Sequence, residues 1–336
     1  MKANISVLMA VHNGEKYIRQ ALESILNQSY SDFQFIIIDD GSSDETSVIV
    51  KSYRDTRIML IHNKINLGLS RSLNIGLSYT NSQFIARMDA DDISYPDRFE
   101  KQMTFMINNP QLGALGSSYK VIDEKGLVIE HHKQPYNDLS IRWQLLFNNA
   151  FCHSSLMIRK RFLDQIGGNY DNLTSAQDFS LVSRLVKVSK LANLPDFLVM
   201  WRKSEQQISS SRKTEQELMA SEISMKNINE LMGCSFISRS EANNIRKFFY
   251  SRVSVSAKDI PLIEKWIVIF HKFIEKNHSR QDKLEMKIII SKFINQIISL
   301  LNLNITKRQV RKIVWACLKI DPYQTIKVIF RHYVKN

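Results

Sequence analysis

A chain of 336 residues with 44% hydrophobic and 10% aromatic content is folded rather than disordered, and can hold one domain of ordinary size plus a smaller one. Its three cysteines (Cys152, Cys234, Cys317) are too few and too widely spaced for a disulfide framework or a zinc site, and no apolar run approaches the ~18 residues of a membrane span. Net charge is +13, yet residues 1–209 hold 23 Lys/Arg against 22 Asp/Glu while residues 210–336 hold 23 against 11, so the excess belongs to the tail.

Ile5-Ser6-Val7-Leu8-Met9-Ala10-Val11 reads as a strand buried on both faces, with no signal peptide expected before it. After His12-Asn13-Gly14, apolar residues at Tyr17, Ile18, Ala21, Leu22, Ile25 and Leu26 predict a helix. Phe33–Ile38 is a second strand, running into Asp39-Asp40-Gly41-Ser42-Ser43-Asp44-Glu45, where Ser42 and Glu45 form a capping-box pattern for the next helix. With Ser42 as the cap, Asp40 rather than Asp39 is the carboxylate expected to face a ligand. Ile58–Ile61 is a third strand, Asn66-Leu67-Gly68-Leu69-Ser70-Arg71 opens a helix through about Tyr79, and Phe84–Met88 is a fourth strand.

That strand ends in Asp89-Ala90-Asp91-Asp92, followed by Pro96 at an expected first helical position and Asp97 at the helix's positive end. Three carboxylates within four residues repel one another, and a divalent cation relieves the conflict. With no His or Cys in the stretch, an oxygen-only site points to Mg²⁺ or Mn²⁺. A lone Asp-x-Asp is more often a solvated loop or helix cap; the neighbouring motifs shift the balance towards metal binding.

Leu112–Ser117 reads as another strand, and Tyr119–Ile122 with Leu127–Ile129 flank a hairpin turn at Asp123-Glu124-Lys125-Gly126. Residues 137–148 predict an amphipathic helix with Leu139, Trp143, Leu146 and Phe147 inward. His153–Arg159 resembles a strand, and a helix starts near Asp178 with Phe179, Val182, Leu185 and Val186 on its apolar side. From about residue 212 the pattern is helical to the end. The expected domains are therefore residues 1–211 and a basic helical region, 212–336.

Alternating strands and helices imply a parallel α/β sheet covered on both faces, and such sheets bind ligands beyond the carboxyl ends of their strands. Ala10–Asn13, Asp39–Ser43 and Asp89–Asp92 all fall at such ends and are expected to meet at one crevice. Neither Gly-x-Gly-x-x-Gly nor a P-loop is present, which argues against dinucleotide and P-loop nucleotide sites.

In the order and spacing of Ser6–Asn13, Ile38–Asp44, Asn66–Asn74, Met88–Asp92, His153–Arg159 and Ala176-Gln177-Asp178-Phe179, the chain resembles family 2 glycosyltransferases of the GT-A kind over about residues 4–210. The resemblance implies a GT-A fold, a mostly parallel central sheet with helices on both faces, followed here by an all-helical C-terminal region. It implies an inverting transfer of a sugar from a UDP-sugar to a hydroxyl of a carbohydrate or lipid-linked acceptor, in bacterial surface polysaccharide synthesis. Ala10, Val11, His12 and Asn13 would line the nucleotide, Val11 through its backbone. Asp40 would accept the uracil N3–H, and Asn66, Arg71, Asp89 and Ala90 would complete the donor site. Asp91 would ligate Mn²⁺ or Mg²⁺, with Asp89 or His153 as additional ligand, and Asp178 would be the general base. Gln177 stands where the family usually has an acidic residue, and Ser204 where many relatives carry a histidine. The alternatives are a nucleotide-sugar-binding scaffold without transfer and a sugar-phosphate nucleotidyltransferase. The expected location is cytoplasmic. Residues 212–336 could attach peripherally to the anionic inner membrane face, and no nucleic-acid partner is expected.

Overall fold

The first apolar run, β1 (Ile5–Val11), is buried along its whole length because parallel strands flank it on both sides. β2 (Phe33–Asp39) and β4 (Phe84–Arg87) are those neighbours, and β3 (Ile58–His62) extends the parallel half beyond β2. The structure, a computed structural model, describes residues 3–204, 213–250, 257–277 and 283–301.

The chain divides into two compact units, Met1–Ile141 with Asn149–Gln216, and Arg142–Asn148 with Glu217–Asn336. The first contains a nine-stranded sheet in the order β3-β2-β1-β4-β8-β6-β9-β5, with β7 paired to β6. Its remaining strands are β5 (Ile93–Ser94), β6 (Leu112–Ile122), β7 (Val128–His132), β8 (Met157–Arg159) and β9 (Lys190–Arg202). Parallel pairing holds from β3 to β4. Beyond that the sheet is mixed, with β8 antiparallel to both β4 and β6, and β9 parallel to β6.

Four local expectations are corrected. Leu112–Ile122 is one strand, whose pairing with β9 shifts register between Ser117 and Tyr119. His153–Arg159 is not a single strand: His153–Ser155 form a 3-10 turn in which Ser155 donates its backbone N–H to Cys152 O, and only Met157–Arg159 pairs. Pro96 lies two residues before α4 (Arg98–Asn108), whose N-cap position is Asp97 without a side-chain cap bond. Ser42 does not cap α2 (Thr46–Ser52). Its N–H donates to Asp39 Oδ1 and its Oγ accepts from Asn13 N, while Asp44 Oδ1 accepts the Thr46 N–H.

The helices α1 (Ile18–Leu26), α3 (Leu69–Ser78), α5 (Asp138–Leu145), α6 (Lys160–Gln165) and α7 (Gln177–Leu185) complete the first unit, α5 crossing its boundary. α1 buries Ile18, Ala21, Leu22 and Ile25, the expected apolar stripe. The second unit comprises α8 (Lys213–Met232), α9 (Arg239–Tyr250), α10 (Ile260–Asn277) and α11 (Lys283–Leu301). Its core is aromatic: Trp143 meets Phe147, Phe270, Phe273 and Phe293 at ring separations of 4.8–5.7 Å. Glu205–Ser209 and Cys317 lie outside the described residues.

Candidate active site

β4 ends in Arg87, a guanidinium wholly buried beneath the acidic loop. Its Nη2 donates to Asp89 Oδ1 at 2.6 Å, its Nη1 to the carbonyls of Leu8 and Met88, and its Nε to His153 Nε2 at 3.0 Å. Arginine has no acceptor, so His153 Nε2 must present its lone pair and the ring proton sits on Nδ1, 3.3 Å from Asp89 Oδ2. Both nitrogens of His153 are thus engaged within the protein. Burial opposes ionisation of Asp89, but the adjacent His153 and Arg87 and a hydrogen bond from Ser154 outweigh it, holding this carboxyl well below the usual range.

Asp92 is the opposite case. It is fully buried, and burial together with Asp91 and Asp89 pushes its pKa well above the usual carboxylate value. The hydrogen bonds agree. Ser154 Oγ accepts the Asp89 N–H (3.1 Å) and contacts both Asp89 Oδ2 (3.1 Å) and Asp92 Oδ2, but one hydroxyl has a single proton to give. A proton on Asp92 resolves this: Asp92 donates to Ser154, which donates to Asp89. Asp92 Oδ1 meanwhile accepts the Arg202 N–H at 2.8 Å. Arg98, also buried, donates to Arg87 O and Gln102 Oε1; burial lowers its pKa to about 9, leaving it charged at neutral pH.

The loops that follow β1 and β2 are bound to one another. Asn13, at φ +52°, accepts the Ser43 N–H, and its own N–H meets Ser42. His12 Nδ1 donates to Asp40 O, and the Val11 carbonyl accepts the Asp40 N–H at 2.7 Å. Ala10 and Val11 are buried at the end of β1, whereas His12 and Asn13 are exposed. Asp39 pairs with His62 at 2.9 Å; burial opposes its ionisation, but bonds from Ser42 and His62 prevail and lower its pKa. Asp40 accepts from Asn63 Nδ2, Leu67 N and Gly68 N, each at 2.9 Å, and so anchors the segment ahead of α3. Asn66, exposed there, accepts the Gly68 N–H.

Asp178 is the second residue of α7, whose N-cap position, Ala176, is in the left-handed region at φ +56°. Its Oδ2 accepts from Asn149 Nδ2 at 2.6 Å and its Oδ1 from Phe179 N. The loop ahead of it is docked on α3. Asn74 makes two bonds with the Tyr170 backbone, Ser70 donates to Leu173 O, and Arg71 reaches Asn172 at 3.2 Å. Buried Tyr170 lies with its hydroxyl 3.5 Å from His153 Nε2; burial foremost, with Asp178 and Asp89 adding to it, raises its pKa. Tyr170 therefore lies against His153 and, through that ring, Arg87 and Asp89, while its neighbour Asp171 accepts from Ser180 on the helix that bears Asp178. Asp40 stands two strands away in the β2-β1-β4 order, at the same carboxyl edge.

Among the described residues no group of three or more His, Cys, Asp or Glu side chains converges as a ready-made cation cage. Magnesium-type sites seldom need one, because one or two carboxylates plus substrate phosphates suffice. Asp91, with Asp89 beside it, fits that requirement; Asp92, buried and already engaged by Arg202 N and Ser154 Oγ, does not. Sequence reasoning missed Arg87, Ser154, Tyr170, Asn149 and Arg202. An arginine inside an otherwise apolar strand was a visible signal for the first, and nothing local marked the others.

The family model described as glycosyl transferase family 2 matches residues 6–167. An uncharacterised glycosyltransferase of Haemophilus influenzae is 34% identical over 235 residues, covering 67% of this chain and 73% of the relative. The O-antigen biosynthesis glycosyltransferase WbnJ of Escherichia coli is 38% identical over 185 residues, 54% of this chain and 71% of its own. The solved structure of S. aureus TarS 1–349 in complex with UDP-GlcNAc has a TM-score of 0.58 at 20% identity, covering 89% of this chain and 87% of that one, a likeness of fold.

Proposed function

The chain belongs to glycosyl transferase family 2 and has a GT-A α/β fold, and on that premise we propose that it transfers a sugar, with inversion, from a UDP-sugar to a hydroxyl of a carbohydrate or lipid-linked oligosaccharide acceptor. The product would be a bacterial surface polysaccharide, a reading supported by the similarity to WbnJ. UDP as the donor nucleotide is supported by the fold shared with TarS, whose complex holds UDP-GlcNAc. The observation that carries the catalytic reading is the place of buried Tyr170: its hydroxyl is 3.5 Å from His153 Nε2, the ring that pairs with Asp89, and the next residue, Asp171, accepts from Ser180 on the helix that bears Asp178.

In this mechanism Ala10–Asn13, Asp40, Asn66 and Arg71 hold the nucleoside, and Asp89 and Ala90 its ribose-diphosphate end. Asp91, with Asp89, would hold Mn²⁺ or Mg²⁺, which when bound supplies Lewis-acid stabilisation of the departing diphosphate. Asp178 removes the proton from the acceptor hydroxyl as its oxygen bonds to the anomeric carbon, and Asn149 orients that carboxylate. Base and leaving group on opposite sides of the sugar give one displacement and an inverted anomer.

The basic helical region would complete the arrangement by resting on an anionic membrane surface. No helix among the described residues is long and apolar enough to cross a membrane, while Leu218, Val268, Leu284 and Ile288 are exposed apolar side chains there.

A thermal-shift panel of UDP-, GDP- and dTDP-sugars, each with and without Mn²⁺, tests the donor. With the donor known, Asp178→Asn is expected to keep UDP binding and lower turnover about 100- to 10,000-fold. Unaltered turnover would remove Asp178 from the mechanism.

A further inference from the structure

Arg202, the last residue of β9, is 1% exposed, yet its guanidinium meets three separate segments. Nε donates to the Asp91 carbonyl at 2.8 Å, inside the acidic loop. Nη1 donates to the carbonyls of Asp123 and Glu124, at 3.0 and 3.2 Å, in the turn joining β6 to β7. Nη2 donates to Gln20 Oε1 at 2.7 Å on α1, and the guanidinium lies 4.4 Å from the centre of the Tyr17 ring. The same residue's backbone N–H holds Asp92 Oδ1. A second tie runs in parallel at the surface, where Lys16 pairs with Glu124 at 2.7 Å.

We infer that Arg202 is a positioning residue of this site: it sets the acidic loop at a fixed place relative to the segment following β1 and to the β6–β7 turn. The inference rests on the donor reading above, because that reading has the segment after β1 and the acidic loop hold one nucleotide. Four donors directed at three segments require a planar, branched cation. A lysine ammonium has three donors on one atom and cannot reach all of them. The guanidinium also lies against the acidic loop, where its positive charge lessens the repulsion among the carboxylates.

The test uses the full chain and Arg202→Lys, with UDP titrated calorimetrically in EDTA and in Mn²⁺, and hydrogen exchange measured on the metal-free protein. The expected result is UDP affinity in EDTA within about twofold of wild type, a strengthening by Mn²⁺ reduced about tenfold, and faster exchange confined to residues 89–95, 123–126 and 17–20. Should the variant not fold, Gln20→Ala removes a single partner of the same guanidinium and is expected to shift both readouts in the same direction. Unchanged Mn²⁺ strengthening with unchanged exchange overturns the inference. So does a general rise in exchange with equal loss of UDP binding in both buffers, which would mark Arg202 as a fold residue only. Wild-type protein that binds no UDP would sink the donor reading instead, and the exchange measurement would still decide the role of Arg202.

Discussion

Replacing Asp92 by asparagine is expected to leave the protein folded and to make it relatively more stable as pH rises. Asparagine reproduces the protonated carboxyl: its Oδ1 can accept the Arg202 N–H and its Nδ2 can donate to Ser154 Oγ, freeing the Ser154 proton for Asp89. With both bonds retained, the change at pH 5 should be within about 1 kcal/mol, whereas Asp92→Ala orphans the buried Arg202 N–H at a cost of about 1–3 kcal/mol. The pH dependence follows from the raised carboxyl. A carboxyl whose folded pKa exceeds its unfolded value contributes stability below the unfolded value, ~3.9, and loses it as pH rises towards the folded one. Wild type therefore loses about 1.4 kcal/mol per pH unit across that window and the variant does not. Urea unfolding of both proteins in EDTA at pH 5, 6.5 and 8 measures it. A stability difference between variant and wild type that stays flat or shrinks with pH would refute a proton on Asp92.

Asp89→Asn should do the reverse, because it leaves the buried Arg87 without its counter-charge; about 3 kcal/mol is expected, the lower end for breaking such a pair since Asp89 is partly exposed. The depressed Asp89 carboxyl contributes stability above the unfolded value and loses it as pH falls, so the gap between wild type and variant should narrow towards pH 3 in acid titrations. Gly41→Ala is expected to destabilise by about 2 kcal/mol or more: Gly41 has φ +69°, and a Cβ there would lie 2.6 Å from the Ile65 carbonyl carbon, with backbone on the opposing side. A thermal melt unchanged from wild type would contradict that reading.

The acidic triplet and its neighbours were legible because each signal is local. Seven buried residues in β1, the stripe of α1 and the run into Asp89–Asp92 are written in consecutive or near-consecutive positions, where side-chain periodicity reports burial directly. Local signals failed where two partners competed for one group. Ser42 had the pattern of a cap, but its hydroxyl accepts from Asn13, far off in sequence, and the Thr46 N–H at the start of α2 goes to Asp44. His153–Ser155 had strand-like company, yet Ser154 was needed as a turn residue to reach Asp89 and Asp92.

By itself, the sequence determined that β1, β2 and β4 feed polar loops, that three carboxylates crowd the end of β4, and that the basic excess lies after residue 209. Only the tertiary structure decided what each carboxylate is. Asp89 is held below the usual carboxylate range, Asp92 is pushed above it and Asp40 takes three donors from the segment ahead of α3, although all three are the same residue type in similar loops. The reason is that a carboxyl's state depends on the donors and charges within a few ångströms, and here those come from distant chain positions: Arg202 meets Asp91 across 111 residues and Gln20 across 182.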